Sequence, residues 1–254
     1  MANNKVFFAS DEDPKMIRAF QKAQQTFKYF WRELSWEYSR IVPALDVAYV
    51  KVAFSQEVED SEEPMIEHMW ISEIDFDGEN IRGVLINDPN RLTNVQNGDN
   101  IEIPLEQLSD WLFATREKTY GGFTIQVMRA EMTKRDRAGH DEAWGLDFGD
   151  YNDVLVVYQQ KEHPENLIEH PMSRNSKEKM VTFLQQNPDQ LTSIDKAGYT
   201  LLHKETIAGN QSSIECLVNA GADVHAKTNA GKTALDFARQ LQWDHIIPYL
   251  EKVS

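Results

Sequence analysis

From Asp13 onward, apolar side chains recur at Met16, Phe20, Ala23, Phe27, Trp31 and Leu34, with Ile17 and Phe30 widening the stripe. That three-to-four spacing predicts an amphipathic helix, opened by Asp13 as N-cap and Pro14 at its first position. The period then drops to two. Val47–Phe54 alternates around Tyr49 and Lys51, and 68–76 places His68, Trp70, Ser72, Ile74 and Phe76 on one face. Shorter strands are expected at 81–86 and 101–103, and another at 123–128, where Phe123, Ile125 and Val127 alternate. Asp77-Gly78 and Asn97-Gly98 read as hairpin turns. Pro104 reads as opening a short helix with Leu105, Leu108, Trp111 and Leu112, and Val154–Tyr158 as a closing strand. A helix followed by an antiparallel meander is an α+β pattern.

Beyond residue 175 the organising signal is a repeat. Gly198 and Gly231 lie 33 residues apart, as do Thr200 and Thr233, Leu202 and Leu235, and Leu217 and Leu250. One further step back from Leu217 reaches Leu184. The stretch from Asp195 to Ala226 resembles the ankyrin repeat, with Gly198 in the entering turn, Thr200 as helix cap and Gly209 and Gly221 as helix ends. The resemblance gives His203 a structural role in the turn. In the next unit Asp236 replaces that histidine, which suits a terminal capping repeat. Leu201 and Glu205 depart from the usual proline and alanine, so the first helix packs less tightly or uses Glu205 in a contact with the preceding segment. The fold expected is thus α+β, an N-terminal helix plus antiparallel sheet, followed by an all-α ankyrin-repeat domain of about two and a half units. The boundaries are an acidic α+β domain at 1–160, a connector at 161–174 and ankyrin repeats at 175–254.

Charge narrows the partners. The chain has 26 basic and 41 acidic residues, a net charge of −15, and residues 1–150 hold 16 basic against 28 acidic. Between Lys51 and Arg82 there is no cation but ten acids, among them Glu59, Asp60, Glu62, Glu63, Asp75, Asp77 and Glu79. Phosphate recognition needs Lys and Arg, so nucleic acid and anionic membrane are excluded as expected ligands, and a basic protein surface is favoured. No apolar run approaches the roughly 18–20 residues of a membrane span, and the apolar stretch Val6–Ala9 is too short for a signal-peptide core. The single Cys216 offers no internal disulfide, which fits a reducing compartment, so the expected location is the cytoplasm.

Several blocks in order carry a second resemblance. They are Val50-Lys51-Val52-Ala53-Phe54, Glu67-His68-Met69-Trp70-Ile71-Ser72, Gly83 to Pro89, Gly98 to Pro104 with Asp110-Trp111, and Gly121-Gly122-Phe123-Thr124. From about Asp13 to Arg129 the chain resembles a bacterial family, domain of unknown function 2314, which also occurs fused to ankyrin units. The resemblance implies a fold and no settled activity.

Four arrangements bear on chemistry. His163 and His170 with Glu165 and Glu169 offer metal-ligand types, but Pro164 and Pro171 oppose a helix and no zinc spacing completes the set. They read as a docking linker whose side chains cap and hydrogen-bond. Ala230-Gly231-Lys232-Thr233 imitates a phosphate loop, yet Ala226 stands where its leading glycine belongs. His68 and Ser72, with Glu67 and Glu73 beside them, are about 13 Å apart in a straight strand, too far for a catalytic pair. Gly121-Gly122 reads as a turn or bulge, with a ligand-admitting loop as the functional alternative. No catalytic residue, metal or cofactor is therefore assigned.

The function expected is a non-catalytic protein-binding protein, specifically a bacterial immunity or antitoxin protein that neutralises a basic toxin domain. The alternatives are an enzyme or small-ligand protein with its site in the α+β domain, and a scaffold with a capping ankyrin tail. The expected binding face joins the acidic Glu57–Glu79 stretch to the ankyrin turns around Lys196, Tyr199, Asn229 and Lys232.

Overall fold

The computed structural model describes residues 13–58 and 63–254. Two compact units emerge, one holding residues 13–30 and 40–156, the other residues 31–39 and 157–254. In the first unit, helix α1 (Pro14–Glu37) begins as its sequence dictates, with Lys15 N–H donating to Asp13 Oδ1 at 2.8 Å. Its residues up to Phe30 count with this unit.

Six strands follow among the described residues: β1 (Val47–Gln56), β2 (Met65–Phe76), β3 (Asn80–Leu85), β4 (Asn100–Pro104), β5 (Leu108–Thr115) and β6 (Lys118–Gly121). They form one antiparallel sheet in the order β4-β3-β2-β1-β5-β6. Val50, Val52, Met69, Ile71, Trp111 and Phe113 are buried on the α1 side, where Phe27 and Phe30 meet Phe76 and Trp111. The Trp111 indole N–H satisfies the helix carbonyl of Ala23 at 3.0 Å, so a polar group is buried with its partner. The opposite face is covered over β5 by Ile125, Leu146 and Phe148.

Four sequence expectations in this unit are corrected. Residues 123–128 are not a strand but the start of helix α2 (Phe123–Glu131), followed by α3 (Lys134–Trp144). A six-residue alternation is too short to separate the two periods, and Asp110 caps this segment as a helix. Leu105–Gln107 is only a 3-10 turn, after which Leu108, Trp111 and Leu112 lie in β5, buried on both faces. Residues 154–158 form no strand, although Leu155 O accepts the Gly121 N–H at 2.8 Å. In β2 the register slips between Ser72 and Asp75, where Glu73 takes φ 54°. That extra residue moves Ile74 and Phe76 onto the α1 face with Ile71, away from Trp70 and Ser72.

The second unit is helical: α4 (Pro171–Asn175), α5 (Lys177–Gln186), α6 (Leu201–Ile207), α7 (Gln211–Asn219), α8 (Ala234–Gln240) and α9 (Ile247–Val253). The 33-residue period becomes two helix pairs, α6–α7 and α8–α9, preceded by α5 as the surviving helix of an incomplete unit. Leu184, Leu202, Leu217 and Leu250 are all buried. Thr200 and Thr233 close capping boxes with His203 and Asp236. The last turns of α1, from Trp31, belong to this unit. Within it Arg32 donates to the carbonyls of Asn166 and Ile168, and Glu33 pairs with His170 at 3.0 Å.

Candidate functional site

In the first unit the blocks that resemble one bacterial family converge on a single row of side chains. Cross-strand register sets Lys51 of β1 between Trp70 of β2 and Asp110 of β5. The Lys51 ammonium stands 5.5 Å from the Trp70 ring centroid. Asp110 is fully buried and receives four bonds: from the N–H of Trp111 (2.9 Å), Phe123 (2.9 Å) and Thr124 (2.7 Å), and from the Thr124 hydroxyl (2.6 Å). Burial pushes its carboxyl above the ordinary range, while Thr124 and Lys51 pull it back. Gly121 and Gly122, at φ 76° and 72°, turn the chain into α2. A Cβ on Gly121 would lie 2.3 Å from the Trp111 carbonyl oxygen. The glycine pair therefore serves close packing and the helix start, and the functional groups of these blocks are spent on one another.

The other block residues follow suit. His68 stacks on Phe20 with centroids 5.2 Å apart and bonds Ser109 Oγ at 2.6 Å. Glu67 accepts the N–H groups of Asn90, Arg91 and Leu92, which holds that loop and lowers its pKa against the raising effect of burial. Asn87 Oδ1 accepts the Trp70 N–H at 2.6 Å. Buried Arg129 grips Asp141 with two nitrogens, at 2.9 and 2.6 Å, and His140 bonds the same carboxylate.

Of the acidic residues singled out above, Glu59, Asp60 and Glu62 lie outside the described residues. Glu63 is exposed and Glu79 half-buried. Asp75 and Asp77 come together around Arg82, at 3.8 and 2.7 Å, with Glu102 joining at 2.8 Å, and this raises the Arg82 pKa. Asp77 also accepts the N–H groups of Glu79 and Asn80 in its turn. The hairpin at Asp77-Gly78 pairs Asp75 with Arg82, a neutralisation the charge run alone conceals.

In the second unit, His163 bonds exposed Glu165, whereas His170 is buried, caps α4 through Met172 N–H and bonds Glu33. Among the described residues no three potential ligands gather as a metal site. Glu205 accepts from Asn210, whose Oδ1 takes the Trp36 indole N–H at 3.0 Å; burial raises the Glu205 carboxyl. The Ala230–Thr233 stretch is a turn and cap, with Gly231 N–H on Thr228 O and the Thr233 hydroxyl on Asp236. Lys196, Tyr199, Asn229 and Lys232 all lie on the turns of the array. Asn229 bonds Ala197 and Lys196, and Lys232 reaches Gln240. A groove of about 440 Å³ opens between α5 and α7, lined by Val181, Leu184, Pro188, Leu191 and Cys216. Burial pushes the Cys216 thiol up, away from reactivity.

The geometry defines a class: an α+β domain whose motifs build the fold, joined to a short ankyrin array. The chain belongs to a family described as an uncharacterized protein conserved in bacteria (DUF2314), matched over residues 13–148. It is 48% identical over 251 residues, 99% of this chain and 98% of the relative, to a putative ankyrin repeat protein of Neisseria meningitidis serogroup B. It is also 34% identical over 70 residues to the uncharacterized protein YegJ of Escherichia coli K12, covering 28% of this chain and 46% of that one. A third match, 32% identical over 73 residues, is protein phosphatase 1 regulatory subunit 27 of Homo sapiens, with 29% and 47% covered. A relative named as an ankyrin repeat protein fits a protein-binding role. No described helix is long and apolar enough to cross a membrane.

Proposed function

We propose that this chain is a non-catalytic, cytoplasmic protein-binding protein, and specifically a bacterial immunity or antitoxin protein that neutralises its toxin by direct binding. The observation that carries the reading is the array itself. Its leucine spine is buried and both capping boxes are closed, while Lys196 and Asn229 stand exposed on adjacent turns. A rigid exposed edge lowers the ordering cost of recognition. In the first unit Asp110, Thr124, His68 and Arg129 are occupied in holding the fold, which supports binding over catalysis. The finer assignment draws on charge. A net −15 chain steers basic surfaces, with Glu63 and Asp75 exposed even though Arg82 offsets part of the Asp75 and Asp77 charge and Glu79 is half-buried. A basic toxin domain is the matching partner. Lys196, Tyr199, Asn229 and Lys232 are the proposed contacts from the array.

Affinity capture of the full chain from its native host tests this. A stoichiometric partner whose toxicity is relieved by co-expression supports the immunity reading. A partner with no toxicity removes that reading and leaves protein binding, and failure to recover any partner counts against both.

A further inference from the structure

The adjacent turns of the ankyrin array carry a charge opposite to that of the chain. The first turn is closed by an Ile194–Thr200 bridge and by Asp195 N–H on Tyr199 O at 3.1 Å. Asp195 is consumed inside it. Its Oδ1 accepts the N–H groups of Ala197 and Tyr199, both at 3.0 Å, and its Oδ2 holds Lys204 at 2.9 Å. The second turn closes through Thr228 N–H on Lys232 O at 2.9 Å. The two are stitched together by Asn229, N–H to Ala197 O at 2.9 Å and Nδ2 to Lys196 O at 3.0 Å. They touch so closely that a Cβ on Gly198 would lie 2.8 Å from the Asn229 nitrogen.

The cations divide into used and unused. Lys204 is held by Asp195, and Lys232 folds back onto Gln240 at 2.6 Å and over the Phe237 ring. Lys196 and Lys227 are exposed, and neither ammonium has a partner among the described residues. On the same turn as Lys196, Ile194 leaves 64% of its surface in water. Two uncompensated ammonium groups and one aliphatic side chain thus share a preorganised edge.

We propose that this edge docks an acidic segment of a partner protein, its carboxylates on Lys196 and Lys227 and an apolar side chain against Ile194. The inference rests on the protein-binding reading and deepens it by fixing the charge that the array selects; a partner that is basic elsewhere meets the array through an acidic segment of its own. Nucleic acid is the weaker fit. The Tyr199 ring is engaged with Phe237 and His203 and offers no stacking platform, and the two ammonium groups of Lys196 and Lys227 are too few to track a phosphate backbone.

The test uses fluorescein-labelled ten-residue peptides on the full chain, read by anisotropy at low and moderate salt. One probe is rich in Glu with a single Leu, one has Arg in place of Glu, and one is the oligonucleotide (dT)10. The acidic peptide should bind, weaken with salt, and lose about tenfold in affinity in the double variant Lys196→Glu/Lys227→Glu. Ile194→Ser should weaken it further, while Lys252→Glu, at an exposed site on α9, should not. No binding of the acidic peptide, binding undiminished by the double reversal, or equal binding of the Arg peptide or (dT)10 overturns the proposal. A captured partner held equally by the wild type and the double variant also overturns it, yet leaves the protein-binding reading intact.

Discussion

Thr124 donates to Asp110 twice, through its backbone N–H at 2.7 Å and its hydroxyl at 2.6 Å. The pair lies 14 residues apart in sequence and ties the middle of β5 to the first turn of α2. Because Asp110 takes four donors at a fully buried point, its removal leaves those donors unsatisfied. Asp110→Ala should cost about 3–5 kcal/mol, whereas Thr124→Ser, which keeps the hydroxyl, should cost roughly 1 kcal/mol. Urea titration followed by tryptophan fluorescence measures both, and near-equal midpoints for the two variants would contradict the assignment.

The two glycines before α2 make a sharper comparison. A Cβ on Gly121 meets the Trp111 carbonyl at 2.3 Å and the Trp111 ring at 2.5 Å, while one on Gly122 finds nothing nearer than 3.9 Å. Both have positive φ, so both alanine variants bear the backbone penalty of roughly 1 kcal/mol. Only Gly121→Ala should add a steric term, bringing its loss to about 3 kcal/mol or more. Thermal unfolding of the two variants side by side checks the order.

What was legible in the sequence depended on how long each pattern ran. The α1 stripe extends over about five turns and the ankyrin period over 33 residues, and both appear where expected. Phe123, Ile125 and Val127 alternate over too few residues to exclude a helix, and the deciding contact comes from Asp110, thirteen residues earlier. Leu108, Trp111 and Leu112 mimic helical spacing because β5 is buried on both faces and so shows no alternation. On the candidate surface, the exposed Lys196 was visible in the repeat. The significance of Lys227 and Ile194 was not, because only the turn-to-turn bonds of Asn229 bring their turns side by side. The acidic run likewise hid Arg82, which gathers Asp75, Asp77 and Glu102 across strands.

Arg32 should be irreplaceable by lysine. It is 1% exposed, donates to the carbonyls of Ile168 and Asn166, and lies 5.4 Å from the Trp243 ring centroid. A guanidinium reaches two carbonyls from one planar group, and a single ammonium does not reproduce that fork. Arg32→Lys should therefore destabilise the second unit by about 2 kcal/mol. It should also speed amide exchange in 163–170 more than elsewhere in the unit. Uniform exchange across the unit would count against a local role.

His203 makes the second unit sensitive to mild acid. Its Nδ1 accepts the Thr200 N–H at 3.0 Å, and its Nε2 points to Ala226 O at 3.1 Å, an arrangement that fits the neutral ring protonated on Nε2. Protonating Nδ1 removes the acceptor and opens the capping box. Burial holds the imidazole below its ordinary value of about 6.5, outweighing the bonds to the Ala226 and Lys232 backbone. Between the lowered folded pKa and the ordinary one, the unfolded chain binds more protons than the folded chain. Stability is thus full above about pH 6.5 and falls as pH drops toward the folded pKa. His203→Gln keeps a box-forming side chain at the third helical position without a titrating group. Urea midpoints of the wild type should fall between pH 7.5 and 5.5, and the His203→Gln midpoint should fall less. Asp236 does the same work in the next unit with a carboxylate whose pKa the Thr233 donors lower, so that box should hold throughout this range. Parallel pH profiles for the wild type and His203→Gln would show that the acid sensitivity lies elsewhere.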